Sequence, residues 1–389
     1  MADAEKLAAV REGLPSVSAG IYLNTPVAGP LPAETAQAMA DIAGWEVKTG
    51  RASRDRADEV AVRIDEARAA IAAILGGDVD AIELVHGVAD GVRRGLASIH
   101  WRDGDQALVI GQPGTELIVD VVATASSGRY EAIPLTPPPD AADDTDDQLV
   151  ASVADAMQGV RLVALPHVTS TGRRLPVGRL VAVAHDAGAL AIVDGSQAAG
   201  AIPVSIEDLG ADFYVVPGWR WLLGPEGIGA VAIGRGGTAA SSAEPAAGLT
   251  LGEFHLPSVV GLARSCGWLS MYIGLEWIHR RSAELARAAA ERLAATPGVT
   301  LLAPQDLLAT TIAFRIDGWS APDALDELGA RIFALASVVP GSDAIRIGTG
   351  FFNTEDELER FADGVELLAS HPPGTLPPRR QLTIIGGER

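Results

Sequence analysis

The chain has 389 residues, 48% of them hydrophobic and 21% charged, which is enough apolar sequence to bury a large core in more than one domain. A formal charge of −20 excludes the basic footprint that nucleic-acid or anionic-membrane binding requires, and a single cysteine, Cys266, in an apolar helical pattern excludes an internal disulfide and a multi-thiolate metal cluster. The N-terminal MADAEKLAAVREGL is charged throughout without an apolar h-region, and no apolar run reaches the length of a membrane span, so a cytoplasmic chain with no metal site is expected.

Residues 1–20 read as a short helix and a connection, and 21–32 (IYLNTPVAGPLP) as a strand and an irregular loop. Helical periodicity covers 33–47 and 57–75, with Lys48-Thr49-Gly50 as a helix end. From residue 82 short apolar strands alternate with helices, at 82–85, 107–110, 130–135, 162–165, 190–193, 213–216 and 228–233; this alternation predicts an α/β fold whose mostly parallel, seven-stranded sheet is covered on both faces. The acidic stretch 137–147 reads as a surface loop with a helix start. A long helical pattern over 258–296 leads into a smaller α/β module, with strands near 299–302, 310–316, 338–339 and 344–347 and helices near 321–333 and 354–370. The division expected is an N-terminal arm (1–20), a large domain (21–255), a linker helix with a small C-terminal domain (256–371), and a tail (372–389).

Four groups of polar residues stand where such strands end. Asp194 directly follows the apolar run LAIV, so its carboxylate is placed where burial raises its pKa unless a cation pairs with it; an N-cap for the next helix is the plainer alternative. His86-Gly87-Val88-Ala89-Asp90-Gly91 follows a strand and opens a helix, which leaves backbone amides able to cradle a phosphate. His167-Val168-Thr169-Ser170-Thr171-Gly172, followed by Leu175-Pro176-Val177, ends the strand at 162–165; His167 reads equally as a core histidine or a catalytic one. Arg346, in IRIGTGFFNT, carries a planar fork suited to a carboxylate.

These runs, with the opening YLN…AGPLP and with Gly218-Trp219-Arg220-Trp221 and Gly224-Pro225-Glu226-Gly227, resemble the class V aminotransferase family of pyridoxal phosphate (PLP) enzymes, which includes cysteine desulfurases, isopenicillin N epimerase-like proteins and C–S lyases. The resemblance runs from Tyr22 to about Leu368. It implies an aspartate-aminotransferase-like fold and a homodimer. It further implies that Asp194 pairs with the cofactor's pyridine nitrogen, Gln197 and Ser170 contact its oxygens, the backbone of Gly87, Val88 and Ala89 holds its phosphate, and Arg346 holds a substrate α-carboxylate near the entrance loop that carries Asn24. The sequence departs from the family at Val88-Ala89, which lack hydroxyls. A second departure is Gln112-Pro113-Gly114-Thr115-Glu116, where an aromatic residue or His usually stacks on the ring and Pro113 or a neighbour is left to cover it. A third is 249–257, where Glu253 and His255 stand.

The largest departure is Arg220, at the position of the lysine that carries the cofactor. A guanidinium is protonated at every physiological pH and neither bonds the cofactor's aldehyde nor acts as a base. The only lysines, Lys6 and Lys48, lie in the N-terminal segment and at a helix end, and the Arg-rich, Lys-poor composition is itself a background reason for such an exchange. Three explanations stand: a charge-retaining substitution introduced to trap a complex, a natural homologue that binds PLP or a preformed PLP–amino acid adduct non-covalently, or a fold that has lost PLP. The functions that follow are an enzyme acting on an α-amino acid or cysteine conjugate, a cofactor-free carboxylate-binding protein, or a cofactor-independent enzyme using Arg220, His255 and Glu253.

Overall fold

The computed structural model describes residues 3–125, 130–133, 145–234, 236–237 and 254–378. Its strands in chain order are β1 (Ile21–Tyr22), β2 (Ile82–Val85), β3 (Gln106–Ile110), β4 (Tyr130–Ile133), β5 (Val160–Pro166), β6 (Leu190–Asp194), β7 (Phe213–Pro217), β8 (Gly229–Ile233), β9 (Val299–Leu301), β10 (Thr311–Ile316), β11 (Ala334–Leu335), β12 (Ser337–Val338) and β13 (Ile345–Gly348). Seven of them form one sheet in the order β2-β8-β7-β6-β5-β3-β4. Strands β3 to β7 are mutually parallel, and β8 runs antiparallel to both of its neighbours, β7 and β2. Six strands therefore share one direction and bring their carboxyl ends to one edge, where an open α/β sheet holds ligands.

The near-continuous apolar runs of β3, β5, β6 and β7 are explained by burial on both faces. Alternate residues feed two separate cores, as the two-residue period of a strand requires: Leu108, Ile110, Val163, Val193 and Val216 pack with helices Arg54–Leu75 and Val177–Asp186, whereas Val109, Ala164, Ile192 and Val215 pack with helices Val88–Ser98 and Leu117–Ala125. The C-terminal module is an antiparallel sheet, β12-β13-β10-β9, covered by helices Leu275–Ala294, Ala321–Ile332 and Glu355–Ala369. Strand β1 pairs in parallel with β11, so Ile21 and Leu23 belong to this third core.

The helical pattern over 258–296 is not one helix. It is Leu256–Gly267, a π-helical stretch Trp268–Ile273, and Leu275–Ala294, with Gly274 at φ 90° breaking the path between them. Of the acidic stretch, 137–144 lie outside the described residues; from Thr145 a reciprocal cap with Gln148 starts helix Asp146–Asp155. Residues 249–253, including Glu253, and 379–389 of the tail also lie outside them. Among the described residues no helix is long and apolar enough to cross a membrane, and no cluster of His, Cys, Asp and Glu has the makings of a metal site.

Candidate active site

The chain turns away from the sheet at the ends of β2, β3, β5, β6 and β7, and the candidate residues lie at those strand ends, apart from Arg346 on β13 and Asn24 after β1. Asp194 closes β6 and is 6% exposed; its Oδ1 accepts the Ser196 N–H at 2.8 Å. Burial holds its pKa above the ordinary carboxylate value, against the opposing pull of the Arg220 guanidinium and of Ser196. Arg220, after β7, is half-buried with its Nε enclosed and unbonded, and no described side chain forms an ion pair with it. Burial depresses its pKa while the charges of Asp194 and then Glu116 pull it back.

Arg346 enters from β13 of the small domain, its Nε donating to Ser337 Oγ at 3.3 Å. Burial, and next the like charge of Arg220, bring its pKa down to about 10, with Glu116 opposing. Two acids and two arginines thus feel one another's charge without touching as ion pairs. A set of that kind has charge to offer a ligand that carries both signs.

The entrance loop threads between these walls. Gly29 N–H donates to Trp219 O at 2.7 Å, and Gln197 spans the gap: its Nε2 donates to Pro26 O at 2.8 Å while its Oε1 accepts the Trp221 indole N–H at 2.9 Å. The Gln197 amide is thereby largely committed to holding the loop. On the same loop Asn24 Oδ1 and Thr25 Oγ1 are buried without partners, and so is Ser196 Oγ beneath it. Such groups cost free energy unless a ligand or water satisfies them.

At the end of β2, Val88 packs into the core of helix Val88–Ser98, leaving only backbone to face a ligand. Gly87 has φ 122°, open to few other residues, and the Trp219 ring edge lies 3.1 Å from where its Cβ would stand. His86 lends its N–H to Asp90 at 3.0 Å and its ring stacks on Phe254. His255 is exposed and bonds Ser258 Oγ at the start of the next helix.

His167 is buried, with Nδ1 2.8 Å from the Tyr214 hydroxyl. Burial, aided by Arg174, pushes its pKa down to about 4, so it is neutral at pH 7 and a weak base. The sign follows: a depressed folded pKa supplies stability above the unfolded value of 6.5 that is lost as pH falls through about 4, on the order of 3 kcal/mol. We expect His167→Gln to lessen the loss of stability between pH 7 and pH 4, measured from urea midpoints, and an unchanged acid sensitivity would refute the assignment.

One buried ionisable group near these residues was not among the sequence candidates. Glu116, in the turn after β3, is 9% exposed, and its Oε1 accepts both the Ser170 N–H at 2.7 Å and the Ser170 hydroxyl at 2.8 Å. Burial raises its pKa to about 7, against Ser170; the charge of Asp194 adds to the rise and Arg346 opposes it. Pro113, which reads as a ring cover, is exposed, and Gln112 is half-buried. The available signal was an acid directly before an apolar helix, at the end of the short loop that follows a strand. On its far side Glu116 borders a cleft of about 350 Å³ between the two domains, lined also by Thr169, Arg173, Arg315, Gly341 and Asp343.

The donor set can be compared with PLP. A buried carboxylate with a raised pKa suits a ring nitrogen that brings a proton, and unpaired arginines suit a phosphate or carboxylate. No amine is in reach: Lys6 bonds Ile273 O beside Trp277, and Lys48 is exposed at the end of helix Ala33–Thr49. The residues fit the group held without a covalent link.

Comparison with known proteins adds independent findings. The family model described as "Aminotransferase class-V" matches residues 21–361. The chain is 27% identical over 383 residues to isopenicillin N epimerase of Streptomyces clavuligerus, covering 90% of this chain and 94% of that protein. It is 26% identical over 351 residues to a cysteine desulfurase of Enterobacter sp. (strain 638), covering 80% and 83% respectively. Among solved structures, a lysine-to-alanine variant of C-DES, with glycine covalently linked to its PLP cofactor, shares the fold at a TM-score of 0.81 and 22% identity, covering 92% of this chain and 98% of that one.

Proposed function

The chain belongs to the class-V aminotransferase family, and from that premise we propose that it binds PLP, or a preformed PLP–amino acid adduct, non-covalently and acts on an α-amino acid or cysteine conjugate. The observation that carries this reading is Asp194, a buried carboxylate at a strand end that accepts the Ser196 N–H and feels the charge of Arg220 but forms no ion pair with any described residue. Bound PLP would supply an electron sink for breaking a bond at the amino acid's α-carbon.

Each residue then has a part. Asp194 holds the ring nitrogen's proton; the amides of Gly87, Val88 and Ala89 and the guanidinium of Arg220 face the phosphate end; Ser170 orients the ring through its loop; Arg346, with Asn24 at the entrance, receives the α-carboxylate. Gln197 keeps the entrance loop closed over the site, and His167, neutral and tied to Tyr214, serves as support. No protein thiol takes part: Cys266 is fully buried, and burial pushes its pKa up to about 12. A sulfur released from a cysteine conjugate would leave to solvent or to a partner molecule.

The test is retention. Protein mixed with PLP and dialysed should keep a near-visible absorbance band, and Asp194→Ala should lose it, because the ring nitrogen then has no buried anion beside it. Colourless wild-type protein after dialysis would sink the reading.

A further inference from the structure

Glu116 has no part in that reading, yet it lies within electrostatic reach of Asp194, Arg220 and Arg346 and lines the cleft. Two features show that its placement is built in. Ser170 clamps Oε1 with both its N–H and its hydroxyl, while Oε2 accepts no hydrogen bond from any described residue. Gly111, at φ 135°, lets the side chain fold back across the end of β3: a Cβ there would lie 2.9 Å from Glu116 Cγ. One carboxylate oxygen is fixed and the other is left for a ligand.

The other titratable groups near Glu116 are poor proton carriers. Arg220 and Arg346 stay protonated, Asp194 is assigned to the ring nitrogen, and His167 is neutral with Nδ1 bonded to Tyr214. Tyr214 is itself held well above its ordinary pKa by burial and by Asp194. We propose that Glu116 is the proton-transferring group of this site and that Ser170 positions it, an inference that rests on the PLP–amino acid reading above. The step moves one proton: the ligand's Cα–H bond breaks as an O–H bond to Glu116 Oε2 forms, and the bonding pair stays with the ligand carbon. The same carboxyl, open to water through the cleft, returns a proton to that carbon. Asp194, Arg220 and Arg346 face Glu116 from β6, the turn after β7 and β13 and act on it electrostatically, while Arg173, Arg315 and Asp343 border the cleft on its other side. A carboxyl whose pKa lies near 7 suits transfer in both directions.

The experiment uses PLP-loaded protein with L-alanine in D2O, following loss of the α-proton signal by NMR and cofactor retention by absorbance. Glu116→Gln, isosteric and still able to accept from Ser170, should keep the cofactor and slow exchange about 100-fold or more. Ser170→Ala should move the midpoint of the pH–exchange profile upward, because a hydrogen bond that favours the charged carboxylate is gone. In wild-type protein labelled with carboxyl-¹³C glutamate, one resonance should titrate near neutrality. Exchange at the wild-type rate in Glu116→Gln, loss of cofactor from that variant, or a Glu116 resonance that titrates in the ordinary carboxylate range overturns the proposal; an unmoved midpoint in Ser170→Ala overturns the role of Ser170. Wild-type protein that retains no PLP overturns the underlying reading, and this one with it, before any variant is compared.

Discussion

Arg220→Lys is expected to turn a chain that holds PLP reversibly into one that holds it covalently. After borohydride treatment, mass spectrometry should find the cofactor's mass added to the peptide carrying residue 220 in the variant and none in the wild type. The reasoning is geometric. Residue 220 follows Trp219, whose carbonyl is pinned by the entrance loop, and precedes Trp221, whose indole is pinned by Gln197, so the backbone has little freedom to move when the side chain changes. An amine placed between Asp194 and Glu116 keeps the positive charge that both acids feel in the parent protein. Unlike a guanidinium, it loses its proton easily enough to attack an aldehyde. If no mass is added, the departures elsewhere, above all Trp219 against Gly87, prevent the cofactor from seating at all.

The second large effect concerns Arg346. The charged form of Arg346 is disfavoured in the free protein: burial first, and then the like charge of Arg220, bring its pKa down to about 10, which corresponds to roughly 3 kcal/mol against the guanidinium. A ligand carboxylate arriving at Arg346 offsets both effects and gains charge-assisted hydrogen bonds. Arg346→Met is therefore expected to act in opposite directions on two measurements. Affinity for the PLP–amino acid adduct, by calorimetry, should fall about 100-fold or more, while the ligand-free protein should unfold at a higher temperature than the parent. A loss of stability without loss of affinity would mean that Arg346 is a structural group, held by Ser337.

Much of this architecture was legible in the sequence because the signals are local. Strands buried on both faces read as apolar runs, and the carboxylate that ends β6 stands out against LAIV. Arg220 was legible as an anomaly only against a family pattern. Glu116 was not legible, since what makes it unusual is contact with Ser170, 54 residues away, and the charges of Asp194, Arg220 and Arg346 from three other parts of the chain; in the sequence it is one polar residue in the loop QPGTE. The break in the helical pattern after Gly267 failed for a related reason. Trp268, Leu269 and Ile273 keep an apolar face through the π-helical stretch because they are buried, so periodicity continues where the hydrogen-bond ladder does not. The amide of Gln197 likewise carries an address that only the folded chain reveals, because its partners come from residues 26 and 221.

The turn after β5 is stitched to the small domain. Arg174 N–H donates to Leu307 O at 2.8 Å, Ala309 N–H donates to Gly172 O at 2.9 Å, and residues 173 and 308 pair as a short antiparallel bridge. The two halves of the molecule thus meet as a slot of set width rather than as a jaw. We expect the reach from Asp194 to Arg346 to stay the same when a ligand binds, so that ligands are sorted by length before they are sorted by charge. Small-angle scattering should accordingly give the same radius of gyration with and without ligand.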